Sequence, residues 1–305
     1  MLISYFKRFA SSCSSAAKEA TKELVKQSIP GVGRILLTSS CKGGVGKSTV
    51  ALNTAISLSK TGAKVGLFDA DIYGPSVPTI TKTKDQFLVG DEDSNFLPVS
   101  AYGIETVSLG NAVEPEAALI WKGPLVSHVI QDFLLKSIWP PLDYLVIDTP
   151  PGTGDVHLDL SQLFNIDGTL LVTSPQQISV DDVARSVDEF NKMGIPILGI
   201  IQNFDGFVCE HCKTPTKIFP GNGAEKLSEM YNIPVLGSLP IDPSIAECGD
   251  EGVPAVIKKP DSEYAKAFEA IAETIVSLMP RVKPKIEARN IDELHKKKET
   301  EKDKK

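Results

Sequence analysis

The sequence predicts a doubly wound α/β fold with a mostly parallel sheet. Two observations carry that prediction. Short apolar, β-prone runs alternate along the chain with amphipathic helical stretches, the pattern of strands covered by helices on both faces. A glycine-rich loop also lies between the first such strand and the first such helix, where a phosphate-binding turn belongs.

The elements come in this order. Arg34–Ser40 (RILLTSS) is an apolar strand, and Ser48–Lys60 a helical run after the glycine loop. Lys64–Asp69 is a second strand. Residues 76–98, rich in Thr, Asp and Pro, read as an insertion. Further strands are expected at Ile104–Leu109, Tyr144–Asp148, Thr169–Thr173, Ile197–Gln202 and Val235–Leu239. Leu125–Ile138 and Val180–Met193 read as crossover helices, and Ala265–Leu278 as a closing helix ended by Pro280.

Length and charge set the bounds. The 305 residues suffice for one large α/β domain or two small ones. Net charge is −7, which argues against a general nucleic-acid binder. No apolar run is long enough for a membrane-spanning helix, so no transmembrane anchoring is expected. The charge is uneven. Residues 1–33 carry five Lys/Arg against two Glu, and residues 281–305 carry ten against six acids, so the body holds −7 − 3 − 4 = −14. The first eighteen residues are basic, serine-rich and free of acids, the composition of a mitochondrial transit peptide. The expected organisation is a leader at 1–33, an ATPase domain at 34–280 and a solvated charged tail at 281–305. Five cysteines (13, 41, 209, 212, 248) are too few for a disulfide framework and indicate a reducing compartment.

The chemistry begins at Lys42-Gly43-Gly44-Val45-Gly46-Lys47-Ser48-Thr49. Glycines let backbone N–H groups turn inward as an anion nest, and the following helix adds its positive end. Lys47 is placed to reach the β- and γ-phosphates of ATP, and Ser48 to ligate Mg²⁺. Asp148 ends an apolar strand and is a candidate carboxylate near Mg²⁺; Gly152, in the loop after it, is a candidate γ-phosphate sensor. Asp71 is a candidate to orient the attacking water, with Asp69 supporting the metal. Strict P-loop spacing asks for glycine where Cys41 stands, and that thiol reads as a packing residue. Lys42 resembles the signature lysine of the deviant-Walker (MinD/ParA-type) P-loop NTPases. The resemblance implies a homodimer in which this lysine reaches the partner's nucleotide.

Cys209-Glu210-His211-Cys212 is a C-x-x-C with three readings. A redox dithiol needs a helix start after the first Cys, and Lys-Thr-Pro-Thr is a poor one. A zinc half-site would borrow His211 or Cys248. The third is half of a [4Fe-4S] cluster site, completed to four thiolates by a second copy across a two-fold axis.

The surroundings of the pair, Asn203–Cys212 with Ile218-Phe219, resemble the Mrp family of iron–sulfur carrier ATPases. So do Asp69–Ser76, Trp121–Pro124 and Asp148–Asp155. The resemblance spans about residues 30–280. It implies that Asn203 hydrogen-bonds adenine while Pro240 and Asp242 flank the base, and that Cys209 and Cys212 hold the cluster. Only Cys13 precedes the loop, so the N-terminal four-cysteine motif of some cytosolic relatives is missing. With the transit-like start, the chain resembles the mitochondrial nucleotide-binding-protein-like (NUBPL) branch. That branch implies delivery of clusters to recipient apoproteins, including subunits of respiratory complex I, in the mitochondrial matrix. Two rival classes share parts of the pattern. A positioning ATPase of MinD/ParA type needs no C-x-x-C, and a P-loop kinase or ligase would leave the cysteines idle.

Overall fold

The computed structural model describes residues 26–90, 95–112, 123–152, 154–209, 211–212, 214–219 and 221–289. The acid-free leader with Cys13, the segment holding Trp121, and residues 290–305 with His295 lie outside the described residues.

The first half begins with β1 (Val32–Ser39), α1 (Lys47–Lys60) and β2 (Val65–Asp69). The expected insertion then has structure of its own: α2 (Val77–Ile80), a small antiparallel pair of β3 (Val89–Gly90) and β4 (Phe96–Leu97), and β5 (Val99–Ala101). After it come β6 (Ile104–Ser108), α3 (Gly123–Lys136) and β7 (Leu142–Asp148). The second half comprises α4 (Asp155–Leu163), β8 (Gly168–Thr173), α5 (Gln177–Met193), β9 (Gly199–Val208) and β10 (Pro215–Thr216). It closes with α6 (Gly223–Tyr231), β11 (Val235–Ile241), α7 (Pro243–Glu251), α8 (Ala255–Lys258) and α9 (Glu263–Leu278).

The main sheet runs β10-β9-β8-β1-β7-β2-β6-β5, with β11 also on β9. Its central strands are parallel, and only the edge strands β5 and β10 are antiparallel to their neighbours. This is the predicted fold class. The parallel centre explains the near-continuous apolar runs, because both faces are buried. Leu36, Val146 and Val172 face one layer, packed with Val50 and Ile56 of α1 and Phe268 and Ile275 of α9. Leu37, Ile147 and Leu171 face the other, with Phe133 of α3, Leu160 of α4 and Phe190 of α5. Each such fully buried side chain contributes about 1.5–3 kcal/mol. Ser262 caps α9 by accepting the Ala265 N–H at 3.1 Å.

Three features add to the expected organisation. Residues 281–289 are largely exposed, yet they stay hydrogen-bonded to the domain at the base of the sheet as a strap. Arg281 Nη2 donates to the Thr61 carbonyl at 2.8 Å, and the Ile286 carbonyl accepts from Gly31 at 2.9 Å. Gly33 permits the close approach, because a Cβ there would sit 2.4 Å from the Val282 carbonyl oxygen. The leader boundary also moves. Ile29 is buried, and Gln27 bridges to Phe164, so residues 26–33 belong to the domain. Finally, β9 runs six residues past the expected end, carrying the chain out to the C-x-x-C.

Candidate phosphate and thiol site

The parallel register brings the C-terminal ends of β1, β2 and β7 together, with Asp148 opposite both Thr38 and Asp69. The glycine loop leaves β1 at this edge. Gly44 and Gly46 adopt φ of 81° and 83°, left-handed values that turn successive N–H groups to one side. A Cβ on Gly43 or Gly44 would meet nothing within 4 Å, so the mouth of the loop is an open cradle. At Gly46 the opposite holds: a Cβ would sit 2.3 Å from Asn203 Nδ2. No side chain caps α1 and no acid stands in its first turn, which leaves the helix start to an anion. Val45 and Lys47 are buried, whereas Lys42 is exposed at the rim.

Lys47 and Asp148 meet beneath the loop. Lys47 Nζ donates to Asp148 Oδ1 at 2.5 Å, and Ser48 Oγ lies 3.3 Å from the same nitrogen. Asp148 is fully buried, and its Oδ2 has no partner among the described residues. Burial raises its pKa, while the charge and hydrogen bond of Lys47 oppose the rise. An orphaned buried carboxylate oxygen beside Ser48 fits a hard divalent cation such as Mg²⁺. When bound with ATP, such a cation neutralises phosphate charge. Ser48 and Asp148 are the residues that would hold it.

Asp69 lies beside Asp148 at the end of β2. Its Oδ1 accepts from the Asp71 N–H at 3.1 Å, and its Oδ2 accepts from Val77 N–H at 3.2 Å and Ser108 Oγ at 3.0 Å. Both oxygens are committed to protein donors, so Asp69 braces the loop after β2. Burial first, then the neighbouring Asp148 charge, push its pKa up to about 7. Asp71 stands on that loop, half-buried, with Oδ1 accepting from Gly74 at 3.2 Å. The Gly152 N–H donates to the Ser40 carbonyl at 2.8 Å, tying the loop after β7 to the start of the glycine loop.

Beneath this edge, His157 Nε2 lies 2.9 Å from both Ser39 Oγ and Thr149 Oγ1. Burial, then the Lys47 charge, lower its pKa to about 4, so the ring is neutral. Cys41 packs against the core with Sγ 2.6 Å from Ser186 Oγ, and burial pushes its thiol up to about 11. It is the packing thiol the sequence suggested.

Asn203, Pro240 and Asp242 gather at the same edge, since β11 pairs Leu239 with Asn203. The Asn203 amide nitrogen donates to the Val45 carbonyl at 2.8 Å, which braces the glycine loop from below. Asp242 caps α7 by accepting from Ser244 N–H at 2.9 Å. Cys209 and Cys212 sit at the tip of the β9–β10 hairpin, where the Cys209 N–H donates to the Thr214 carbonyl at 3.2 Å. Cys209 is half-buried and Cys212 exposed, both as free thiols. The Thr214 hydroxyl, 3.2 Å from Cys212 Sγ, is the main cause holding that thiol down at about 7. The pair stands on a strand end, not at a helix start. Among the described residues no third His, Cys, Asp or Glu joins it, and Cys248 is buried in α7. Among the described residues the pair thus offers two thiols and no closed zinc site.

A cavity of about 190 Å³ lies between the glycine loop and the cysteine arm. Residues 42–45 form one wall, Ser174 and Ser179 another, and Phe204 and Phe219 a third. The sequence reading missed Ser174, Ser179 and the seat of Phe204. Only the position of Ser174 just after a strand signalled the first.

Residues 31–276 match the family model described as ParA, NUBPL iron-transfer P-loop NTPase. The chain belongs to this family. The iron-transfer P-loop NTPases explain the joint presence of the cradle, the Lys47–Asp148 pair and the exposed thiols. The iron–sulfur cluster carrier protein of Aquifex aeolicus is 43% identical over 82% of this chain and 69% of its own length. That of Escherichia coli is 40% identical over 85% and 70%. Among solved structures, the nucleotide-binding protein of Archaeoglobus fulgidus in complex with ADP is similar at a TM-score of 0.67. It is 30% identical, covering 78% of this chain and 93% of that one. The cell-division ATPase MinD of Pyrococcus furiosus is similar at 0.62, with 28% identity over 81% and 99%. As an iron-transfer P-loop NTPase, the chain has the fold and loop of an ATPase.

Proposed function

We propose that the protein is an ATP-dependent carrier of [4Fe-4S] clusters, the cluster being cargo held by Cys209 and Cys212 of two copies. The observation that carries this reading is the free C-x-x-C, half-buried at Cys209 and exposed at Cys212, on an arm whose base is hydrogen-bonded to the glycine loop. Two thiolates per chain are half of what such a cluster takes, and a two-fold dimer supplies the rest. Lys42 is exposed at the rim of the cradle, and in this reading it reaches the partner's nucleotide. Hydrolysis is slow and serves the transfer. Lys47 neutralises phosphate charge, Ser48 and Asp148 hold Mg²⁺, and Asp71 orients water. Carriers of this name among the relatives support the cargo. The basic, serine-rich, acid-free first eighteen residues support a mitochondrial matrix location, with complex I subunits among the recipients.

Anaerobic reconstitution with iron and sulfide tests it. The wild type should take up iron and gain a visible charge-transfer band. The Cys209→Ala/Cys212→Ala variant should take up none. Equal uptake by both proteins would remove the assignment and favour a MinD/ParA-type positioning ATPase.

A further inference from the structure

The link between the cradle and the cysteine arm can be traced residue by residue. In β9, Asn203 pairs with Leu239 of β11, but the next registered pair is Phe207 with Ile241. The strand thus advances four residues while its neighbour advances two, a bulge over Phe204, Asp205 and Gly206. Phe204 has φ of 63° and Gly206 of 83°. Left-handed backbone suits Gly206, whereas an aromatic residue there is strained by about 1–2 kcal/mol. The strain persists because the Phe204 ring has a seat. Its Cζ would lie 3.8 Å from a Cβ on Gly46, and the ring walls the cavity beside residues 42–45. Asn203, one residue earlier, holds the Val45 carbonyl. Beyond the bulge, Phe207 pairs with Thr216 and Val208 with Pro215, and the ladder ends at Cys209. Phe219, on the return of the same arm, lines the same cavity.

We propose that Phe204 is a positioning residue that couples the glycine loop to the cysteine pair, its ring seated on the loop and its bulge setting the aim of the arm. Bulges re-aim the strand beyond them, and a packed aromatic moves with the surface it rests on. A rearrangement of residues 42–46 around phosphate therefore shifts the Phe204 ring, and the five-residue step to Cys209 turns with it. Phe204 makes no contact with nucleotide in this scheme. The proposal deepens the carrier reading by naming how nucleotide addresses the thiols.

The test uses full-length, cluster-free protein, so it does not depend on cluster binding. Alkylation of Cys209 and Cys212 by iodoacetamide is followed peptide by peptide, with and without Mg²⁺ and a non-hydrolysable ATP analogue. In wild type the analogue should change the rate about fivefold or more. In Phe204→Ala that ratio should fall to near unity, with analogue affinity by calorimetry unchanged within about twofold. Phe204→Tyr, which keeps the ring, should keep the ratio. If Phe204→Ala does not fold, Phe204→Leu, which removes the aromatic ring but keeps apolar bulk, takes its place and should likewise bring the ratio down. An intact ratio in the Ala variant, a lost ratio in Phe204→Tyr, or no nucleotide effect in wild type would each overturn the proposal. An intact coupling in a protein that fails to bind cluster would overturn the carrier reading alone.

Discussion

Lys47 and Asp148 hold each other below the cradle, 101 residues apart in sequence. Removing one partner of a buried pair leaves a group that is costly to bury. Lys47→Ala should lower stability in urea by about 3 kcal/mol and abolish hydrolysis. A Lys47→Met/Asp148→Leu double variant should recover much of that stability while remaining inactive. Recovery of activity would show that the pair only packs. His157 makes a separate prediction. Its folded pKa of about 4 lies below the unfolded 6.5, so the unfolded chain binds the extra proton. The stability from the neutral ring is fully present above pH 6.5 and falls as pH drops towards 4, by about 3 kcal/mol in all. His157→Gln should be less pH-dependent than wild type over that window in denaturation series, and identical slopes would refute the buried neutral ring. At this scale the sequence was partly legible. The loop residues are contiguous, and their spacing revealed them. The bracing of Asp69 was not legible, because its donors Val77 and Ser108 stand on other elements, eight and 39 residues away.

Elements buried on both faces announced themselves. β1, β2, β7 and β8 are continuous apolar runs because the parallel centre of the sheet never meets water. β5 and β10, of three and two residues, carry no period long enough to read. Their pairing is set by the neighbouring strand. The outer half of β9 was invisible for a related reason, since the bulge at Phe204 breaks alternation. Charge density gave no sign of the strap. Its anchors are backbone groups and the side chains of Arg281 and Arg289, which bond to Thr61 and Asn95, so charge did not prevent docking. Gly33→Ala places a methyl against the Val282 carbonyl. It should destabilise the fold by about 1–3 kcal/mol and raise amide exchange within residues 282–289. Unchanged exchange there would mean that the strap does not rest on Gly33.

At the scale of the molecule, the phosphate cradle and the thiols share one edge of the fold: the C-terminal edge of the sheet carries the cradle and, on the β9–β10 arm, the thiols. Each half-site is incomplete in one chain: Lys42 has no phosphate of its own to reach in the proposed scheme, and two thiolates do not close a cluster. In the proposed scheme the same second copy fills both gaps. Native mass spectrometry of anaerobically reconstituted protein tests this most directly. The expected species is a dimer with one four-iron, four-sulfide cluster per two chains, lost together with its iron in Cys209→Ala/Cys212→Ala. A monomer carrying a whole cluster, or a dimer of the double variant carrying the same iron, would contradict it.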